Sequence, residues 1–360
     1  MRRLLAAPAT SRLVDAALDG SGPALLPSTE PRVLAALRPD EPLESDDVRV
    51  VIPTSGSTGE PKGALLTVTN LLTSAGATHQ RLGGPGQWLL ALPTTHVGGL
   101  MVLVRSCAAG TEPVQLVGPT TVEAFEAATA RLTAARRYVS LVPTQLRRLV
   151  ASPALLEYDA VLLGGAAAPA DLLDRAREAG VRVVTTYGMS ETSGGCVYDG
   201  VPLPGVTVDA PAGRVRIAGP VVALGYRLRP DLTAKAFAGG EFRTDDLGEL
   251  GPDGRLVLHG RADDVIVTGG KKVAPGAVEA VLGRHPAVAE VAVVGVPDAE
   301  WGARVVAVVV LRAGAALSLE QAREHVAGEL PRAAAPRELR LLEALPLLAS
   351  GKIDRMGLLR

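Results

Sequence analysis

Val48-Arg49-Val50-Val51-Ile52-Pro53-Thr54-Ser55-Gly56-Ser57-Thr58-Gly59-Glu60-Pro61-Lys62-Gly63 is the stretch from which the rest of the chain can be read. Val48–Ile52 is apolar and β-branched, which predicts a strand. A Ser/Thr/Gly loop follows, and a helix is predicted from near Asn70, a capping residue, toward Arg81. Gly56, Gly59 and Gly63 allow close backbone approach, and successive N–H groups form an anion nest. Thr54, Ser55, Ser57 and Thr58 add hydroxyl donors, and Lys62 adds charge. The set suits a polyphosphate. It differs from the common nucleotide P-loop, whose Gly-Lys is followed by Ser or Thr, because Gly63 follows Lys62.

Outward from this loop the β–α rhythm continues. Strands are predicted at Trp88–Leu92, Val114–Val117, Tyr138–Val142, Val161–Leu163 and Val181–Thr186. Helices are predicted at Val97–Ala109 and Val122–Thr133, from Thr144, and after Pro169 up to Gly180. Such alternation predicts an α/β fold with a parallel sheet covered by helices. Residues 1–45 read as helical pieces and loops. Beyond about residue 200 Gly and Pro are frequent and strands short (Arg214–Ala218, Arg243–Thr244, Leu256–His259), with a hairpin turn at Gly251-Pro252-Asp253-Gly254. This reads as a closing β unit. A small α+β unit follows, with strands Val291–Val296 and Arg304–Leu311 and a helix Leu319–Glu329. A chain of 360 residues exceeds one comfortable core, since cores stop growing near roughly 250–300 residues. The predicted division is a large domain 1–260, a hinge 261–264 and a small mobile domain 265–360.

Composition removes several classes. With 47% hydrophobic and 21% charged residues the chain is a folded globular one. A net charge of −1 gives no field for nucleic acid or an anionic membrane. Cys107 and Cys196 cannot build a disulfide framework or a four-ligand zinc site. No apolar run reaches the roughly 18–20 residues of a membrane span. Arg12 interrupts the N-terminal apolar stretch too early for a signal peptide, so the cytoplasm is the expected compartment. Base rates favour a homodimer. Of 37 basic residues only Lys62, Lys235, Lys271, Lys272 and Lys352 are lysine, which points to places where a compact, mobile charge matters.

Thr54–Gly63 resembles the phosphate-loop signature of the acyl-adenylate-forming superfamily, which includes acyl- and aryl-CoA ligases, nonribosomal adenylation domains and luciferases. Four more segments resemble that superfamily's motifs in order. They are Tyr187-Gly188-Met189-Ser190-Glu191-Thr192, Phe242-Arg243-Thr244-Asp245-Asp246-Leu247-Gly248, Gly260-Arg261-Ala262-Asp263-Asp264 and Ser350-Gly351-Lys352-Ile353-Asp354-Arg355. Asp245 departs from the usual glycine. The resemblance covers nearly the whole chain. Most relatives carry a longer stretch before the phosphate loop, so part of the usual first subdomain is expected to be missing.

The resemblance implies ATP, Mg²⁺ and coenzyme A as cofactor and co-substrates, and a small acid as substrate. Lys352, Glu191 and His96 are the implied catalytic set. Glu191 would hold Mg²⁺ against the phosphates, and Lys352 would neutralise charge where carboxylate meets α-phosphate. Gly164, Gly165, Ala166, Tyr187, Gly188, Met189 and Ser190 would flank the nucleotide, with the ring of Tyr187 on adenine. Asp246 could accept both ribose hydroxyls, and Arg261 could donate to the same sugar. Asp263 is the implied pivot, and Lys271 and Lys272 could meet CoA phosphates after rotation.

His96 matches the segment that lines the acid site, and Arg105 lies nine residues on in an apolar stretch. A buried Arg needs an anion, either a protein carboxylate or one on the substrate. The segment His96–Arg105, together with Ser190–Gly200, is similar to actinobacterial o-succinylbenzoate–CoA ligases of menaquinone synthesis, whose substrate carries two carboxylates. Arg105, Thr144, Ser190, Ser193 and the glycines from Gly194 on are then candidates for the second carboxylate. Another acyl- or aryl-CoA ligase, an enzyme loading a carrier protein and a non-catalytic nucleotide binder remain alternatives.

Overall fold

The computed structural model describes residues 2–55, 60–348 and 353–359. Val48, Val50, Val51 and Ile52 are all sealed from water, and they begin the strand Val48–Ser55. That strand lies in a four-stranded sheet beside Leu4–Ala6, Ala24–Leu26 and Pro61–Thr67. The first three strands pair parallel, joined by helices Ser11–Asp19 and Pro31–Leu37.

This region corrects the sequence reading in several places. The phosphate-loop segment leads into a second strand, antiparallel to the first, with Thr54 opposite Lys62. The helix comes after it, at Val68–Leu82. Thr67 caps that helix and Asn70 sits at its third position: Asn70 N–H donates to Thr67 Oγ1 at 3.2 Å, and Thr67 N–H donates to Asn70 Oδ1 at 2.8 Å. Gly63 lies on this second strand, opposite Pro53. A Cβ there would meet Val51 Cγ1 at 2.7 Å and Leu37 Cδ2 at 2.9 Å, so its smallness lets the strand pack on the core. The two short strands near the N-terminus were hidden by their length of three residues each.

The second sheet has seven strands, in the order Val201–Pro202, Gly194–Tyr198, Val183–Met189, Ala160–Leu163, Arg137–Leu141, Gln87–Leu90, Val114–Gln115. From Val183–Met189 onward the pairing is parallel, as the β–α rhythm requires. The helix Val97–Ala109 has the predicted bounds and is buried along most of its length. The other predicted helices are present at Val122–Thr129, Pro143–Leu149 and Ala170–Glu178, the first and last with shorter ends. The third sheet is antiparallel: Thr207–Asp209, Arg214–Ala218, Glu241–Leu250 and Phe237–Ala238, with Leu256–Arg261 also on Glu241–Leu250.

The fourth sheet starts at Ile266–Thr268, with residues 262–265 between it and that strand, and includes Lys271–Val273, Val288–Asp298, Gly302–Leu311 and Glu338–Leu341. Helices Pro275–Gly283 and Leu319–Ala327 cover one face through Val278, Leu282, Ala322 and Val326. Leu345 and Leu358 cover the other against Val294, Val306 and Val308. This unit touches the large one where Arg312 meets Asp171 at 3.6 Å and Arg147 meets Glu290 at 3.9 Å. Among the described residues no helix is long and apolar enough to cross a membrane.

Candidate active site

Val183–Met189 has a hydrogen-bonded strand on each side, yet all seven of its residues are only half-buried. A central strand with uncovered side chains marks the floor of a cleft, and in α/β sheets ligands bind at the carboxyl ends of the strands. Three features converge there. Gly164 follows the end of Ala160–Leu163, and a Cβ on it would meet Thr186 Oγ1 at 2.3 Å, so the two strand ends can approach only with glycine. Gly165 has φ +83° and turns the chain, with Ala166 exposed beside it. Tyr187, Gly188 and Met189 end the floor strand, and Ser190–Thr192 makes one tight turn after it.

Glu191 is in that turn and is 7% exposed. The Tyr226 hydroxyl donates to its Oε1 at 2.8 Å. Burial pushes the carboxyl up, while the Tyr226 hydrogen bond and the nearby Lys62 ammonium pull it down. Lys62 lies on the strand leaving the phosphate-loop segment, with Nζ 5.4 Å from the centre of the Tyr226 ring. Among the described residues no group of three or more His, Cys, Asp and Glu could enclose a metal ion. A single carboxylate with a cation nearby instead suits Mg²⁺, which usually binds one or two carboxylates together with substrate phosphates. Gly56, Ser57, Thr58, Gly59 and Lys352 lie outside the described residues. Thr54 and Ser55 end the strand that leads to them.

A second cluster borders the cleft from the third sheet. Asp246 is half-buried; its Oδ2 accepts from the Tyr187 hydroxyl at 2.7 Å, and its Oδ1 faces Arg261 at 3.5 Å. Burial pushes Asp246 up and the Tyr187 hydrogen bond and Arg261 pull it down. Both Asp246 oxygens therefore already have a partner, and ribose hydroxyls would share them. Arg261 is exposed and is also bound by both oxygens of Asp263 at 2.9 Å. Those carboxylates hold the guanidinium firmly protonated. Asp263 thus sits between the third and fourth sheets, tied to the last strand of the third. Lys271 and Lys272 are exposed on a hairpin whose turn residues Gly269 and Gly270 have φ +54° and +71°.

The remaining candidates lie around helix Val97–Ala109. His96 is its N-cap residue, exposed, with Nδ1 3.0 Å from Thr95 Oγ1. Val97 and Met101, the next two positions on one face, point at Gly194, at 3.8 and 3.3 Å from where its Cβ would be. Arg105 is one turn further along the same face and 3% exposed. Its guanidinium lies 5.0 Å from the Trp88 ring and 3.5 Å from the Tyr198 hydroxyl, and its Nε has no partner among the described residues. Among the described residues no carboxylate pairs with it. Thr144 is half-buried in the first turn of Pro143–Leu149, and the next residue, Gln145, donates from Nε2 to the Ala91 carbonyl at 2.9 Å, which brings that turn beside the His96 loop.

Ser193 is wholly buried, its hydroxyl donates to the Val221 carbonyl at 2.9 Å, and Ser74 donates to its own carbonyl at 3.0 Å. These bonds hold a φ of +53° just after Glu191. Ser193 braces the turn, its hydroxyl turned to the core, and Ser190, at the start of the turn, is half-buried. Tyr226, Tyr198 and His79 went unnoticed in the sequence. Tyr226 and His79 are single aromatic side chains in segments without a motif, Tyr198 lies within Ser190–Gly200 without having been singled out, and only the packing brings each to Glu191 or Arg105.

A buried carboxylate with a lysine on the neighbouring strand, and an Asp–Arg pair beside Tyr187, gather at these strand ends. The chain belongs to the AMP-binding enzyme family: the model of that description matches residues 5–229, and that of the AMP-binding enzyme C-terminal domain matches residues 277–352. A Mycobacterium tuberculosis protein named "Probable 2-succinylbenzoate--CoA ligase" is 51% identical over 357 residues, covering 95% of this chain and 92% of that protein. The Bacillus subtilis o-succinylbenzoate CoA synthetase in complex with its acyl-adenylate intermediate superposes with a TM-score of 0.76 at 28% identity, over 97% of this chain and 81% of that one. The same synthetase with ATP and magnesium ion gives 0.76 at 30% identity, over 88% and 70%. The fold is that of the adenylate-forming ligases.

Proposed function

We propose that the chain is an o-succinylbenzoate–CoA ligase. The observation that carries the choice of acid is Arg105: a buried cation without a protein carboxylate among the described residues, on the helix that starts at His96. An acid with two carboxylates gives it a partner while the other carboxylate is activated. A buried charge without a counter-charge would otherwise cost several kcal/mol, about the scale of breaking a buried ion pair.

In the first half-reaction a substrate carboxylate oxygen attacks the α-phosphorus of ATP, the bond to the bridging oxygen breaks and pyrophosphate leaves. Glu191 and Lys62 face the polyphosphate. Asp246, Tyr187 and Arg261 receive ribose and base, and Lys352 neutralises the oxygens where the new bond forms. When bound, Mg²⁺ neutralises phosphate charge and fixes the phosphate geometry. The small domain then turns about Asp263. The CoA thiol gives its proton to solvent, its sulfur attacks the acyl carbon, the bond from that carbon to the phosphate oxygen breaks, and AMP leaves as the thioester forms. Lys271 and Lys272 meet the CoA phosphates. Positioning and charge carry both steps, and no side chain becomes a covalent nucleophile.

The test is substrate-dependent ATP–pyrophosphate exchange with o-succinylbenzoate, benzoate and a short fatty acid side by side, with Mg²⁺ and without CoA. Exchange with o-succinylbenzoate alone is the expected result. Exchange with benzoate or the fatty acid instead would keep adenylation and overturn the choice of acid.

A further inference from the structure

Lys62 and Glu191 are opposite charges in one cleft, and nothing in their chemistry stops them from pairing with each other. A direct ion pair would cancel the charges a polyphosphate and its cation need. Tyr226 stands between them. Its hydroxyl donates to Glu191 Oε1 at 2.8 Å, and the Lys62 ammonium lies 5.4 Å from its ring centre, within the range of a cation–π contact. A neutral aromatic group can serve both charges because its face is electron-rich and its tip is a donor.

The side chain is held there by backbone and neighbours. Gly225, Tyr226 and Arg227 run along the outer edge of Pro61–Thr67: Leu65 N–H donates to the Gly225 carbonyl at 2.9 Å, and Arg227 N–H donates to the Gly63 carbonyl at 2.8 Å. Tyr226 N–H donates to Thr233 Oγ1 at 2.9 Å, and Phe237 packs against the Tyr226 ring at 5.3 Å and 73°. Next along the chain, Arg227 is a clamp. Its guanidinium donates to the carbonyls of Leu37 (2.5 Å), Arg38 (2.7 Å), Glu41 (2.8 Å) and Pro42 (3.0 Å), and to Glu44 Oε2 (3.2 Å). The other Glu44 oxygen accepts from Leu228 N–H at 2.7 Å. Residues 37–44 thereby fix the backbone at the position next to Tyr226.

We propose that Tyr226 is a positioning residue that keeps Lys62 and Glu191 apart and holds the Glu191 carboxylate toward the divalent cation of a nucleotide polyphosphate. This rests on the reading of Glu191 as the carboxylate that faces Mg²⁺. The experiment is calorimetric ATP binding to the full chain, with Mg²⁺ and with EDTA, for the native protein, Tyr226→Phe, Glu191→Gln and the double variant. Tyr226→Phe keeps the ring and loses only the donor. A hydrogen bond to a charged group predicts that the gain in affinity from Mg²⁺ falls about tenfold in Tyr226→Phe, with binding in EDTA unchanged. In the Glu191→Gln background the same change has no further effect. An undiminished Mg²⁺ gain in Tyr226→Phe overturns the proposal, as does an equal loss with and without Mg²⁺. A Tyr226→Phe effect that persists in Glu191→Gln overturns it too, which keeps the test decisive if the single variant is partly unfolded. Absence of any Mg²⁺ gain in the native protein overturns instead the reading of Glu191 beneath it.

Discussion

Arg227 and Arg105 are both cut off from water, at 1% and 3% exposure, and their surroundings are opposite. Around Arg227 four carbonyls and the Glu44 carboxylate accept from the guanidinium. Around Arg105 there is an aromatic face, one long contact to the Tyr198 hydroxyl and an unpartnered Nε. Two of its neighbours are unsatisfied as well: among the described residues His79 Nε2 and Trp88 Nε1 have no partner. Buried polar groups in a finished core are almost always hydrogen-bonded. Arg227 is finished by the protein and is part of its architecture. Arg105 is left open, and an anion from outside would complete it.

The largest expected effect breaks the finished side of this contrast. Arg227→Met leaves the carbonyls and Glu44 without their donor, and removing one partner of a buried charged network costs about 3–5 kcal/mol. Urea denaturation should show that loss; a change below about 1 kcal/mol would mean the clamp is not structural. Arg105→Met should behave in the opposite way, because replacing a buried unpaired cation by an apolar side chain is often neutral or stabilising. Its cost should fall on the substrate. We expect KM for o-succinylbenzoate to rise about 30–100-fold, the worth of one charged hydrogen-bonded contact, with KM for ATP unchanged. An unchanged KM for the acid would remove Arg105 from the pocket.

The smallest effect concerns His79. Burial, and then the Arg105 charge, lower its pKa from 6.5 to about 4. The folded state therefore resists a proton that the unfolded chain accepts. Stability contributed by neutral His79 is complete above the unfolded value of 6.5, falls with pH through the window 6.5 to about 4, and is exhausted below it. Between pH 7 and 5 this single group should account for about 2 kcal/mol. His79→Gln should flatten the stability–pH curve by that amount, measured by denaturation at both pH values. A parallel curve would show that His79 does not titrate there. In Arg105→Met the His79 contribution should shrink, since one of its two causes is gone.

Much of the fold was legible in local pattern. Val97–Ala109 and Arg214–Ala218 have the bounds their apolar patterns predict, and the β–α alternation from residue 88 to 186 became the parallel core of the seven-stranded sheet. Pro61–Thr67 was not legible, because Pro61, Lys62 and Gly63 have loop chemistry. It is a strand because Val48–Ser55 offers it a ladder and Gly63 lets it lie on Val51. At the site, Glu191, Lys62, Asp246 and Arg261 stood out because they occur in ordered motifs. Ser193 stood out for the same reason, and the sequence could not show that its hydroxyl is turned to the Val221 carbonyl.

The sequence by itself determined the class of chemistry, since a hydroxyl- and glycine-rich loop with one lysine, a carboxylate turn and an Asp–Arg pair need only their order along the chain to be recognised. It also determined that an arginine lies in an apolar helix. Only the tertiary structure decided what completes each charge. Whether a buried guanidinium meets carbonyls, as Arg227 does, or an aromatic pocket, as Arg105 does, depends on segments far away in sequence. The same holds for Tyr226, which reaches Glu191 and Lys62 only because its segment pairs with the edge of Pro61–Thr67. Hydrogen-bond partners are fixed by packing geometry, and packing is a property of the whole core rather than of any local stretch.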